Sequence, residues 1–203
     1  MTKTLILLFG FLLSHGLIQA QQNPELAFSK SYLYEYEAQY AKAIKALQDL
    51  NADTYESNLR LGWLNYLNKD YVRSQHHYRK AIALEGNSVE ARFGLVLPQS
   101  AEGDWNAVLG TYLEILKLDP NNSIANYRTS SIYFNRKDYL HAANYIAKVI
   151  NLYPFDFDSN LLYGKILAAQ AKNADARVYL QKALEYNPQS EEAKTALLKL
   201  DQK

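Results

Sequence analysis

The side chains able to do chemistry in this chain are few and poorly placed. Beyond the first twenty residues the histidines are His76, His77 and His141. His76 and His77 are adjacent, and adjacent residues of a helix point about 100° apart, so they make poor co-ligands for a metal. Asp156, Asp158 and Asn160 in "DFDSN" begin like a calcium loop. The glycine and the terminal carboxylate that such a loop needs are missing. Helix capping accounts better for these residues. Without cysteine there are no disulfides, no thiol nucleophile and no cysteine-ligated metal. A glycine-rich phosphate loop and a nucleophile motif are absent too, so the sequence points away from an enzyme and calls for no cofactor and no metal.

The elements that must position these residues repeat. Tyr71, Trp105, Tyr139 and Asn173 follow one another at a step of 34 residues. The same step joins Tyr78, Tyr112, Ile146 and Leu180, and it joins Ala81, Ile115, Val149 and Ala183. It also joins Gly86, Pro120, Pro154 and Pro188. A constant period of this size is the mark of a solenoid. Within each unit two apolar-periodic segments flank a short polar break, such as Asn68-Lys69-Asp70 or Arg136-Lys137-Asp138. In "YVRSQHHYRKAIAL" the apolar and small residues recur three and four apart, as on one helix face. Each unit therefore reads as helix, turn, helix, with prolines closing units and Asp, Asn or Ser capping the next helix.

On these residues the chain resembles the tetratricopeptide repeat proteins. Leu61-Gly62 stands at the family's leucine-glycine pair, and Tyr163-Gly164 is a variant of it. Ser74, Val108, Ala142 and Ala176 stand at its alanine, and Pro120, Pro154 and Pro188 at its closing proline. The resemblance is strong over about residues 55–188. It implies an all-α, right-handed solenoid of five units, at about 24–53, 55–88, 89–122, 123–156 and 157–190, with a C-terminal capping helix and tail over 189–203. The first unit is the weakest, with Ser31 as its small residue. Tyr40 lies only 31 residues before Tyr71, which places a shorter linking turn after that unit. Gly62 is expected where the two helices of its unit cross closely. Ser130 and Gly164 meet the same demand and Val96 does not, so the third unit should pack wider. Pro98 should bend that unit's first helix.

The first helices carry a second apolar stripe. Leu59, Trp63, Tyr66 and Leu67 share a face, with counterparts in Phe28 and Tyr32, in Phe93 and Leu97, and in Tyr127 and Phe134. In the family this side lines a concave groove that receives peptides. Arg60 and Arg128 recur in one register, and Lys165 stands near them in the fifth unit. The resemblance thus implies a partner-binding groove of Tyr32, Arg60, Trp63, Tyr66, Tyr127, Arg128, Phe134 and Lys165, suited to an extended peptide or helix with acidic groups. Trp63, Tyr66, Tyr127 and Phe134 are expected partly exposed, and Leu59 and Phe93 mostly buried between units. At the places where some relatives clamp a C-terminal carboxylate with lysine and asparagine, this chain has Phe28, Tyr32, Arg60, Glu90 and Gly94. That mode of binding is not expected.

Composition narrows the partner. With 22 Lys and Arg against 21 Asp and Glu there is no basic surplus for phosphates, so nucleic acid is not an expected ligand. The start, "MTKTLILLFGFLLSHGLIQA", has one lysine and then an apolar run from Leu5 to Leu13, the layout of a signal peptide. The run is shorter than the ~20 residues a membrane span needs. Cleavage is expected after Ala20, or failing that after Gly16, and without a cysteine there is no lipid anchor of the bacterial lipoprotein type. The expectation is a periplasmic or secreted protein with no stable membrane insertion after cleavage. It is a non-catalytic adaptor for a protein or peptide partner, with self-association possible. The alternative is an obligate structural subunit of an envelope assembly or secretion complex.

Overall fold

Helix follows helix along the whole computed structural model, which describes residues 23–201. The expected leader and its cleavage point lie outside the described residues. The first unit contains α1 (Pro24–Tyr36) and α2 (Tyr40–Gln48), and the second α3 (Tyr55–Leu67) and α4 (Tyr71–Leu84). The third holds α5 (Val89–Ala101) and α6 (Trp105–Leu118), and the fourth α7 (Ser123–Asn135) and α8 (Tyr139–Leu152). The fifth holds α9 (Phe157–Ala169) and α10 (Asn173–Tyr186), and α11 (Glu191–Asp201) follows. No strand occurs among the described residues, and none of their helices is long and apolar enough to cross a membrane.

Local sequence chemistry sets these boundaries. Asn23, Thr54, Ser88, Asn122 and Asp156 cap the first helices of the five units by accepting backbone N–H groups. Asp70, Asp104 and Asp138 cap three of the second helices in the same way. The turn between the paired helices passes through left-handed backbone at Ala38, Lys69, Gly103, Lys137 and Ala171. That conformation stops the first helix abruptly and lets the second run back along it.

The shorter first unit corrects one expectation. The missing residues come from the helix, not from the turn: α2 has 9 residues where α4 has 14. The link that follows, 49–54, is longer than the link 85–88 between α4 and α5. Asn51 adopts left-handed backbone there, with φ of 49°.

Each helix packs against its neighbours in sequence. In addition α3 packs on α5, α7 on α9, and α9 on α11, whereas second helices of successive units do not pack together. The array therefore curves with the first helices on the inside and the second helices splayed outside. Side chains such as Val96, Tyr112, Ile115 and Ile132 form a core that runs from one unit into the next.

The helix crossings follow the small-residue register. Ser74 Oγ donates to the Gly62 carbonyl at 2.7 Å, and Ser130 Oγ donates to the Ala142 carbonyl at 2.8 Å. The hydroxyl thus changes helices between the two units while bridging the same crossing. A Cβ on Gly164 would lie 3.2 Å from the Ala176 carbonyl oxygen. In the third unit Val96 faces Val108, and α5 and α6 approach each other less closely than the pairs of the second, fourth and fifth units. Despite Pro98, α5 runs unbroken from Val89 to Ala101.

Candidate functional site

The inner wall is built by α1, α3, α5, α7, α9 and α11. The structure divides its eight expected binding residues into two groups with different fates. Tyr32, Arg60, Trp63 and Tyr66 belong to the first two units. Arg60 is 8% exposed, so the expectation of a cation open to a partner is corrected there. Its guanidinium pairs with the Glu35 carboxylate, its Nε donates to Ser31 Oγ at 3.2 Å, and it lies 3.8 Å from the centre of the Tyr32 ring. Trp63 is half-buried and donates from Nε1 to the other Glu35 oxygen at 2.7 Å. Its ring lies 5.7 Å from that of Tyr66, which lies 6.0 Å from Tyr71. One carboxylate from α1 therefore closes this end of the wall.

The second group, Tyr127, Arg128, Phe134 and Lys165, differs chiefly in its open arginine, since Tyr32 is 57% exposed and Trp63 and Tyr66 are half-buried in the first group. Tyr127 and Phe134 are half-buried, and Arg128 is exposed. Arg128 stands 5.8 Å from the Tyr127 ring and makes no ion pair among the described residues. Burial raises the Tyr127 hydroxyl above its ordinary pKa, which keeps it a neutral donor. Lys165 is half-buried, pairs with Glu192 on α11 and lies 5.5 Å from the Phe134 ring. It is tied to the cap, not free as an isolated cation.

Three hollows adjoin this second group. One of about 710 Å³ opens between α5 and α7, with Leu97, Ser100, Arg128 and Ser131 in its lining and Val96, Tyr112 and Ile132 beneath. A second, of about 760 Å³, lies between Phe134, Ala168, Ala169 and the α11 residues Thr195 and Ala196. The third, about 650 Å³, lies at the corner where Ile124, Tyr127, Tyr153 and Phe155 meet. Arg128 lines the first and the third. Leu59 and Phe93, expected mostly buried, are half-buried. Phe93 sets its edge against Tyr112, with ring centres 6.3 Å apart.

Sequence reasoning missed the exposed corner of Ile124, Tyr153 and Phe155, and it missed the cleft residues Ser100 and Ser131. A large apolar run beside the closing Pro154 was the available signal for the corner. The signal for the cleft was the lack of any large residue where other units have one.

His77 and His141 serve structure, and His76 is exposed. His77 Nδ1 lies 2.9 Å from Asn58 Oδ1, and since the Asn58 amide already donates to Asp53 and to the Thr54 carbonyl, the imidazole must donate here. Burial lowers the pKa of His77 to about 4, so it is neutral at pH 7. His141 pairs with Asp138 at 2.8 Å and stacks on Tyr133. Asp156 accepts from the Ser159 N–H at 2.8 Å, as a cap does. Among the described residues no three His, Asp or Glu side chains come together in a way that could hold a metal ion.

No family model matches the sequence, and no curated protein is significantly similar to it. Solved structures are similar in shape. A crystal structure of MamA protein superposes with a TM-score of 0.70 at 17% identity, over 81% of this chain and 91% of that one. MamA from Desulfovibrio magneticus RS-1 gives 0.68 at 15%, over 82% and 96%. YrrB, described as a TPR protein with an unusual peptide-binding site, gives 0.69 at 15%, over 86% and 92%.

The chain has the tetratricopeptide-repeat fold.

The register Tyr78, Tyr112, Ile146 and Leu180 supplies the large residue of the second helices in the second to fifth units, and all four are buried. In this arrangement the first helices line the inner wall. The open residues of α5, α7 and α9 occupy that surface.

Proposed function

We propose that this protein is a non-catalytic interaction module that binds a protein or peptide segment along its concave face, chiefly over α5, α7, α9 and α11. The observation that carries this reading is the inner wall of the later units. Half-buried rings, hollows of several hundred Å³ and an unpaired arginine lie together there. Large aromatics and arginine dominate binding energies at protein interfaces. The peptide-binding site described for YrrB, on the same fold, supports the reading.

The protein works outside the cytoplasm in this proposal, in the periplasm or as a secreted protein. Residues 1–20 direct export and are removed after Ala20. Protein isolated from its native host should then have the intact mass of a chain starting at Gln21. A full-length mass retained in the membrane fraction would refute export with cleavage.

An envelope extract passed over the immobilised protein tests the binding role. Tyr127→Ala combined with Phe134→Ala should reduce recovery of the partner at least about tenfold, since hot-spot truncations cost ~2 kcal/mol or more. Thermal unfolding of the same variant checks that the fold survives. Undiminished capture by a folded variant would move the interface elsewhere. It would favour the second reading, an obligate structural subunit held by its outer edges, where Val72 and Leu140 are 72% and 67% exposed.

A further inference from the structure

The solenoid contains its own filled version of the α5–α7 cleft. Neither α1 with α3 nor α5 with α7 packs closely backbone to backbone. Between α1 and α3 side chains close the gap: Arg60 pairs with Glu35, lies over the Tyr32 ring, and Trp63 donates to the same Glu35 carboxylate. One carboxylate serves both a guanidinium and an indole.

The same register positions can be followed into the α5–α7 gap. The first two units are offset by 31 residues and later ones by 34. Arg128 then stands where Arg60 stands, Ser100 where Glu35 stands, Leu97 where Tyr32 stands and Ser131 where Trp63 stands. The cation is kept, while the carboxylate and both rings are replaced by smaller side chains. The result is the hollow of about 710 Å³ that Leu97, Ser100, Arg128 and Ser131 help to line. Ser131 turns its hydroxyl to the Tyr127 carbonyl at 3.0 Å and offers nothing to Arg128. The neighbouring Arg136 is engaged with the Trp105 carbonyl and with Asn106 Oδ1 at 3.1 and 2.8 Å. Arg128 is the cation of this cleft without an acceptor among the described residues.

We infer that the α5–α7 cleft binds a segment of the partner that carries a carboxylate beside an aromatic side chain. The carboxylate takes the place of Glu35 on Arg128, and the ring enters the space that Trp63 fills two gaps earlier. This rests on the concave-face reading above and names the chemistry of its ligand. A guanidinium–carboxylate pair is directional and charge-assisted. The apolar floor of Val96, Tyr112 and Ile132 rewards burial of a ring. A basic segment would face Arg128 without compensation.

The probe is an acetylated and amidated pentapeptide, Ala-Glu-Ala-Trp-Ala, titrated at up to millimolar concentration into the ¹⁵N-labelled protein. Shifts should concentrate on the backbone of 96–101 and 128–135. Replacing the glutamate of the peptide by glutamine should weaken binding about tenfold, the scale of a hydrogen bond to a charged group. In Arg128→Gln, whose side chain is exposed and outside the core, the acid and amide peptides should bind alike. Ser100→Glu should supply the missing carboxylate from within. It should abolish peptide binding and raise the melting temperature, and the rise should vanish when Arg128→Gln is added. No shifts at millimolar peptide, equal binding of the acid and amide peptides to the unaltered protein, or Ser100→Glu without effect on binding would each overturn the inference. Shifts confined to another stretch of the inner wall would overturn this cleft and leave the broader reading standing. That broader reading is tested separately, and it falls if capture survives loss of the Tyr127 and Phe134 rings.

Discussion

Replacing Gly94 by alanine is expected to destabilise the protein by about 2–3 kcal/mol, the upper part of the range for overpacking a core. A Cβ at that position would sit 2.2 Å from Cε1 of Tyr78. The ring also lies close against Gly62, where an added Cβ would be 2.9 Å from it, so glycines flank it on both sides. Tyr78 is 3% exposed and is clamped between two glycines, one in its own unit and one in the next. Deleting the ring is the complementary experiment: Tyr78→Ala should cost roughly 3–5 kcal/mol through lost burial and a cavity. Two units later the same pair of positions holds Ile146 and Leu162, both buried in one cluster. Tyr78→Ile combined with Gly94→Leu copies that pair and should recover at least half of what Gly94→Leu loses alone. Urea midpoints of the single and double variants measure the coupling. A neutral Gly94→Ala would show that the ring is not held between the glycines.

Glu35→Ala should cost about 2–3 kcal/mol. The change strands a guanidinium whose side chain is only 9% exposed, and breaking such a pair by removing one partner typically costs ~3–5 kcal/mol. Glu35 itself is 23% exposed, so some water can replace it, which puts the expected loss at the lower end. Arg60 Nη2 already lacks a partner, so the group has little left to fall back on. Trp63 loses its acceptor at the same time. Glu35→Gln keeps an acceptor for the indole and should be milder. Adding Arg60→Met to Glu35→Ala should restore stability, because the uncompensated charge is what costs. Equilibrium unfolding of the four proteins decides. If the double variant is no better than Glu35→Ala alone, the penalty comes from packing and not from the buried charge.

The fold was legible because its cause is local and recurrent. A 34-residue step in four registers, with caps at Thr54, Ser88, Asn122 and Asp156, leaves little freedom in where helices begin. The first unit was misjudged because nothing in "LQDLNADT" marks an early helix end as a proline would. The stop comes from left-handed backbone at Asn51, which a sequence signals only weakly. Gly94 was passed over because Val96 stands in its unit at the register of Gly62. The crowding at Gly94 comes from a ring of the preceding unit.

The binding wall was half legible for a related reason. Arg60 and Arg128 look alike in sequence because they share a register, and their surroundings are decided by residues on the preceding first helix. Glu35 sits opposite one and Ser100 opposite the other. A sequence displays the period along the chain; the pairing between first helices is a matter of how the units stack. Lys165 is settled from the other side, by Glu192 in the helix α11 that follows it.

Site-specific photo-crosslinking in the native host tests the central claim most directly. A photoreactive amino acid is placed singly at Ser131 or Thr195 on the inner wall, and at Arg79 or Asn144 on the exposed outer side of α4 and α8. The concave-face account predicts a discrete crosslinked partner from Ser131 and Thr195 and none from Arg79 or Asn144. Crosslinks from Arg79 and Asn144 with none from Ser131 and Thr195 would contradict it.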